Sequence, residues 1–429
     1  MSTKDGKSRN VLIVGGGTFG TSTAYHLSQR GYRNVTVLDR SAPPSQEAAG
    51  NDINKIIRAD YPDRLYADLI LQPRGLFAGL YHRSGWLMAA GQRSLRFIEG
   101  SIKTAAERGF EQAQHLTNDE VRRRFPAYDG DMKGWRTYWN SSAGWANARE
   151  ALYRMAQAGV LYVSGTAGHV KQLLFDERGR CIGAKIADGT AYFADEIILA
   201  AGAAAASLLD MKAQLVAKGH TVGHIQLCAE EMDTYRSTPV VDHLEGGILF
   251  PPQEDGLVKV GAVHFVMNYS KDHPSVSLPR YRSDHPEDTI PKPIEDQLRK
   301  WLKEFCPALA DRSWVETRIC WDADMADYHF RIGAHPSHPG LRLAVGGSAH
   351  GFKFMPVIGK YVVDMLEGKL DAETADKWRW RPGVRLEGID AHPNPLLDLK
   401  DVPGFNDGGA RSKHEPTPYQ SRSQAGTRI

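Results

Sequence analysis

Three groups of residues in this chain could do chemistry. The first is Gly15-x-Gly17-x-x-Gly20, which follows the apolar run Val11-Leu12-Ile13-Val14 and opens a helix-like stretch, Thr21 to Arg30. In that setting the pattern is a dinucleotide fingerprint. Gly15 allows a tight turn, Gly17 lets backbone approach a pyrophosphate, and Gly20 lets helix and strand pack closely. The phosphates would sit at the helix N-terminus, where free N–H groups and the dipole favour anions. The second is Asp39, 24 residues after Gly15. It can accept hydrogen bonds from ribose hydroxyls, which favours FAD or NAD over a 2′-phosphate cofactor. The motif alone leaves FAD and NAD open. The third is Lys259, in Leu257-Val258-Lys259-Val260-Gly261-Ala262-Val263. Strand alternation places 257, 259, 261, 263 and 265 on one face. A lysine on an otherwise apolar face is costly unless paired or functional. His264 falls on the opposite face and reads as structural or surface.

These residues need elements to hold them. Val35-Thr36-Val37-Leu38 reads as a second strand, so strand, helix and strand make one βαβ unit. Strand-like runs recur at 160–163, 172–176, 181–186, 196–201 and 341–345, with a turn at Glu177-Arg178-Gly179. More aromatic and charged segments separate them, roughly 75–145 and 215–318. The reading is an α/β fold (α+β overall). A Rossmann-like lobe is built from 1–75, 146–214 and 319–385. An antiparallel-sheet substrate lobe, 76–145 and 215–318, is inserted into it. The tail, 404–429, is rich in Gly, Ser, Pro, Arg and Gln and is expected to be disordered.

Composition narrows the function classes. The 429 residues carry 53 Lys and Arg against 51 Asp and Glu, so a net charge of +2 gives no reason to expect a nucleic-acid or membrane partner. The four cysteines, at 181, 228, 306 and 320, form no CxxC pair, and no zinc spacing is present. No run of about 18 apolar residues exists. The N-terminus lacks the apolar core of a secretory signal. An intracellular protein is expected. Thr427-Arg428-Ile429 is not a peroxisomal signal, which leaves cytoplasm or peroxisome.

Five segments carry a resemblance: GGGTFGTSTAYHL, AGNDINKII, SAGWANAREAL, RICWDADMADYHF and GGSAHGFKFMPVIGK. From about residue 10 to about 380 the chain resembles D-amino-acid-oxidase-like flavoproteins. The branch is that of monomeric sarcosine oxidase, fructosyl amino acid oxidases (amadoriases) and L-saccharopine oxidase. The resemblance implies a FAD lobe and a substrate lobe whose sheet covers the isoalloxazine. It implies oxidation of the C–N bond of a secondary amino acid. Hydride goes to the flavin, the imine hydrolyses, and O2 becomes H2O2. A monomer acting on a small amino acid is expected.

Residue by residue, the resemblance implies the following. Cys320 is the cysteine that attaches covalently to the flavin. Lys259 lies over the flavin, where its charge promotes oxygen reduction. Lys353 and Arg58 hold the substrate carboxylate, a point charge beside a bidentate fork. Lys55 is a basic group near the flavin. Thr18, Phe19, Asn51, Val170, Gly202, His350, Gly351 and Phe352 contact the cofactor, as does Lys353.

Two places depart from the amadoriase pattern. Amadoriases carry a sugar-contacting glutamate four residues after the flavin-facing lysine, where this chain has Val263. They also carry an arginine near the C-terminus, where Ile389 or a neighbour stands here. An apolar group would leave sugar hydroxyls unpaired, at about 1–3 kcal/mol each. The expected substrate is therefore an N-substituted amino acid without a sugar: sarcosine, pipecolate or saccharopine. Amadori compounds, or an N-methyl amino-acid-derived natural product, are the alternatives. Competing classes are a dehydrogenase passing electrons to a carrier, a flavin-binding protein without catalysis, and a NAD-dependent enzyme.

Overall fold

The computed structural model describes residues 6–71, 77, 79–109, 113–269, 276–384, 392–403 and 405. Ile389 and nearly all of the 404–429 tail lie outside the described residues.

The fingerprint forms where its sequence predicts. β1 (Asn10–Val14) leads through the glycines into α1 (Thr18–Gln29), and β2 (Asn34–Leu38) returns parallel to β1. β1 is central in a six-stranded sheet ordered Arg331–Ala334, Leu341–Val345, Glu196–Leu199, β1, β2, Leu161–Val163. All neighbours are parallel except the first pair. Parallel strands are buried on both faces, which explains the unbroken apolar runs. The segments 170–175 and 181–186 form the expected antiparallel hairpin. At the turn after β1, Gly15 has φ +104°, and a Cβ there would meet the Ala200 carbonyl oxygen at 2.5 Å.

A second sheet is built mainly from antiparallel strands. Its longest members are Leu215–Gln226 and Glu316–Met325, paired along ten residues from Leu215↔Met325 to His224↔Glu316. Leu257–Ala262 lies on the other side of Leu215–Gln226, followed by Gly247–Leu249, Val240–His243 and Trp86–Ala90. Directly paired residues share a face. One face carries Val241, Leu249, Val258, Val260, Ile225, Ala217, Ile319 and Trp321, all in one apolar core. The helix Lys292–Phe305 covers it through Ile294, Leu298, Trp301, Leu302 and Phe305, an amphipathic spacing. Each such burial stabilises by about 1.5–3 kcal/mol. The opposite face is polar. Register places Asp242, Ile248, Gly261, Val222 and Arg318 in one row across it. Lys259, His220, Cys320 and Asp322 lie on the same face by alternation.

The alternation read for 257–265 holds only to Gly261. The strand ends at Ala262, the chain bends, and Val266–Met267 starts a separate pairing with Gly219. Val263 is buried at 1% exposure.

The βαβ turn generates a test. A Cβ on Gly20 would meet the Gly15 carbonyl oxygen at 1.8 Å, and backbone cannot yield as a flexible side chain can. Gly20→Ala should destabilise by about 1–3 kcal/mol. A melting midpoint lowered by several degrees in thermal unfolding is the expected result. An unchanged midpoint would show that α1 does not pack on β1 this closely.

Candidate active site

One cavity of about 1010 Å³ runs from the fingerprint to the polar face of the second sheet. That is the upper end of the range for small-molecule sites, about 300–1,000 Å³. Gly15, Gly17, Thr18, Phe19, Asp39, Val170 and Gly202 line one end. The N-terminus of α1 has no side-chain cap, so its first N–H groups remain available to a pyrophosphate. The Asp39 carboxylate accepts from the Gly16 N–H at 2.7 Å, the Ser41 N–H at 2.8 Å and the Ser45 hydroxyl at 2.9 Å. A carboxylate has about four acceptor positions, so one remains for a ribose hydroxyl. This end fits a dinucleotide.

Asp52 organises the middle of the cavity. Its side chain is 1% exposed, and three cations converge on it: Lys259 at 2.9 Å, Lys55 at 3.1 Å and Arg318 at 3.1 Å. These cations hold its carboxyl well below the usual range against strong desolvation. Lys259 also donates to the Asn54 carbonyl and sits 4.0 Å from the Phe250 ring centroid. Burial pushes its ammonium down to about 7, with Asp52 opposing. Cys320 lines the same stretch, and burial pushes its thiol up while Lys55 pulls it down. Asp322 is pushed up to about 7 by burial and lies 3.3 Å from His220.

Arg58 and Lys353 line the cavity nearby. Arg58 donates to the Asp60 carbonyl and lies over Tyr61, Trp86 and Phe97, with ring centroids at 4.7, 4.8 and 5.8 Å. Among the described residues it has no carboxylate partner. Lys353 donates to the Tyr61 hydroxyl at 2.9 Å and to the His350 carbonyl at 3.3 Å. His350 Nε2 lies 3.0 Å from the Tyr328 carbonyl, which can only accept, so Nε2 carries the proton. Nδ1 then accepts from the Tyr61 hydroxyl at 3.3 Å. Burial pushes His350 down to about 3, which keeps the ring neutral. The chain Lys353→Tyr61→His350→Tyr328 fixes the ammonium and leaves it one N–H for a ligand. Burial and Arg58 depress the Lys353 ammonium. An incoming carboxylate would restore its charge.

The structure brings Lys259, Arg58, Lys353, Lys55, Cys320, His350, Gly351 and Phe352 into this cavity. Gly20 and Asn51 do not line it. Gly20 serves the packing of α1 on β1. The Asn51 amide is used by the protein: it donates to the Pro44 and Ser45 carbonyls and accepts from Arg149. Val263 and His264 do not line the cavity either, so Val263 is not the wall that a sugar would meet. Sequence reasoning missed Asp52, Arg318, Asp322, Lys218, His220 and Asp242. The signal was present as period-two polarity in two strands: Lys218, His220 and His224 in one, Arg318, Cys320, Asp322 and Asp324 in the other.

Removing one carboxylate tests this arrangement. Asp52→Asn leaves Lys259 and Arg318 buried without their counter-charge. A loss of about 3–5 kcal/mol is expected in denaturant unfolding. A change below about 1 kcal/mol would mean the cations are solvated rather than held.

Comparison with known proteins identifies the family. Residues 10–365 match the family described as FAD dependent oxidoreductase. The chain is 32% identical to L-saccharopine oxidase of Schizosaccharomyces pombe over 92% of this chain and 98% of that protein. It is 24% identical to a monomeric sarcosine oxidase of Bacillus sp. over 84% and 93%. The crystal structure of fructosamine oxidase (Amadoriase II) from Aspergillus fumigatus superposes with a TM-score of 0.83 at 36% identity, covering 92% of this chain and 96% of that one. The fingerprint, the cavity and these likenesses agree: the chain belongs to the FAD dependent oxidoreductases.

Proposed function

We propose that this protein is an oxidase of secondary amino acids. It converts the C–N bond to an imine with loss of two electrons and two protons. Water then adds, giving an amine and a carbonyl compound, and O2 takes the electrons and protons as H2O2. The observation that carries this is the position of half-buried Arg58 and buried Lys353, which have no carboxylate partner among the described residues, in the cavity that holds the dinucleotide fingerprint and Lys259. FAD bound in the cavity would supply the redox chemistry, accepting a hydride and returning the electrons to O2.

The chain's own residues supply the rest. Arg58 and Lys353 hold the carboxylate and so fix which carbon faces the cofactor. Lys259 places positive charge where negative charge develops during oxygen reduction. Cys320, which lines the cavity, is the residue through which the flavin would attach covalently. L-saccharopine oxidase is similar along nearly its full length, which favours saccharopine-like substrates. The second reading is a fructosyl amino acid. The likeness to Amadoriase II favours it, and the cavity does hold a hydrogen-bond acceptor, Asp242.

The aerobic test is peroxide yield. One H2O2 per amine consumed is expected with L-saccharopine, L-pipecolate or sarcosine. Efficient turnover of fructosyl-valine instead would move the assignment to the second reading. Turnover without peroxide would indicate a dehydrogenase.

Two residues give sharper tests. The Lys259 charge is present below about pH 7 and lost above it, because its folded pKa is depressed. Reoxidation by O2 should therefore slow as pH rises through that value. Lys259→Met should slow it about 10²–10³-fold and flatten the profile, read by stopped-flow absorbance. Equal rates in both proteins would remove Lys259 from the reaction. For Cys320, acid precipitation should leave the flavin with the wild-type protein and release it from Cys320→Ala. Release from both would exclude the covalent bond.

A further inference from the structure

Asp242 lines the cavity and has no part in the reaction above. It lies in Val240–His243, directly opposite Ile248, whose row continues to Gly261, so it shares the face of Lys259. It is 5% exposed and lines the cavity. Its Oδ1 has no hydrogen-bond partner within 3.5 Å, although the Trp86 indole lies near enough to act on the carboxyl. Arg58, Lys353 and His392 lie close enough to act on its charge. Its strand does not need a carboxylate there: the residues opposite it are Ile248 and Met88. A buried carboxylate oxygen without a donor is costly, and a ligand that supplies the donor removes that cost.

The pocket therefore presents two cations and one anion to the same ligand. Arg58 and Lys353 suit a carboxylate, and Asp242 suits a protonated nitrogen. That nitrogen is not the reacting amine. The reacting nitrogen needs its lone pair free to form the imine, and a carboxylate beside it would favour the protonated, unreactive form. Building on the secondary-amino-acid reading, we propose that Asp242 is a specificity residue. It binds an ammonium carried on the arm attached to the reacting nitrogen, so the preferred substrate is zwitterionic across the pocket.

The test uses two inert acids in which a thioether replaces the amine: S-(5-aminopentyl)thioglycolate and S-pentylthioglycolate. Each is titrated calorimetrically into the flavin-loaded enzyme. The wild type should bind the ammonium acid about 10- to 100-fold more tightly, the range of a charge-assisted hydrogen bond. In Asp242→Asn, checked for unchanged melting and flavin spectrum, that preference should fall to near unity. Equal affinities in the wild type overturn the proposal whatever the variant does, as does a preference that survives in the variant. A third acid with a polyhydroxylated arm separates sources of the donor: if it gains affinity through Asp242 and the ammonium acid does not, the ammonium assignment is wrong. Failure of S-pentylthioglycolate to bind at all would instead strike the carboxylate site of Arg58 and Lys353. The two failures are thus distinguishable.

Discussion

A single buried carboxylate, Asp52, makes the centre of this site possible. Lys259, Lys55 and Arg318 come from three separate elements, and burying any of them alone would cost several kcal/mol. Asp52 sits within 3.1 Å of all three. One negative charge against three positive charges does not neutralise the cluster. While Lys259 is protonated, the cluster keeps positive charge at the cavity, suited to negative charge that arises during reaction. It also ties the loop after β2 to the second sheet, since Asp52 precedes β3 (Lys55–Ile57) while Lys259 and Arg318 are on the sheet.

The second sheet is built in two chemistries. One face is apolar and covered by the helix Lys292–Phe305. The other carries Lys259, Cys320, Asp322 and Asp242 into the cavity. Because the strand period is two, the helix-facing residues set the register, and the register sets where each charge stands. Packing on one side thereby positions chemistry on the other. The Rossmann-like sheet contributes differently: its strand ends and the uncapped N-terminus of α1 present backbone groups. The two sheets meet around one cavity, so a cofactor held by backbone at one end reaches side chains held by register at the other.

Much of this was legible in the sequence. The βαβ unit needs only local spacing, so β1, α1, β2 and Asp39 were readable directly. Lys259 was readable because a lysine within an apolar strand demands a reason. Asp52 was not, because its main partner is 207 residues away and nothing local marks the pairing. Asn51 was read as a cofactor contact, yet its amide is used by Arg149, another distant partner. Val263 was misplaced for a local reason. The alternation was extended past Ala262, where the strand ends and the chain bends. The missed polar rows at 218–224 and 318–324 show that alternation of charged residues carries as much information as alternation of apolar ones.

The most direct measurement is flavin absorbance near 450 nm after anaerobic mixing with single amino acids, following the cofactor's own redox state. The account predicts rapid bleaching by a secondary amino acid and little by the matching primary amine or by the acid lacking nitrogen. Bleaching by NADH alone, or by no amino acid while the flavin remains bound, would contradict it.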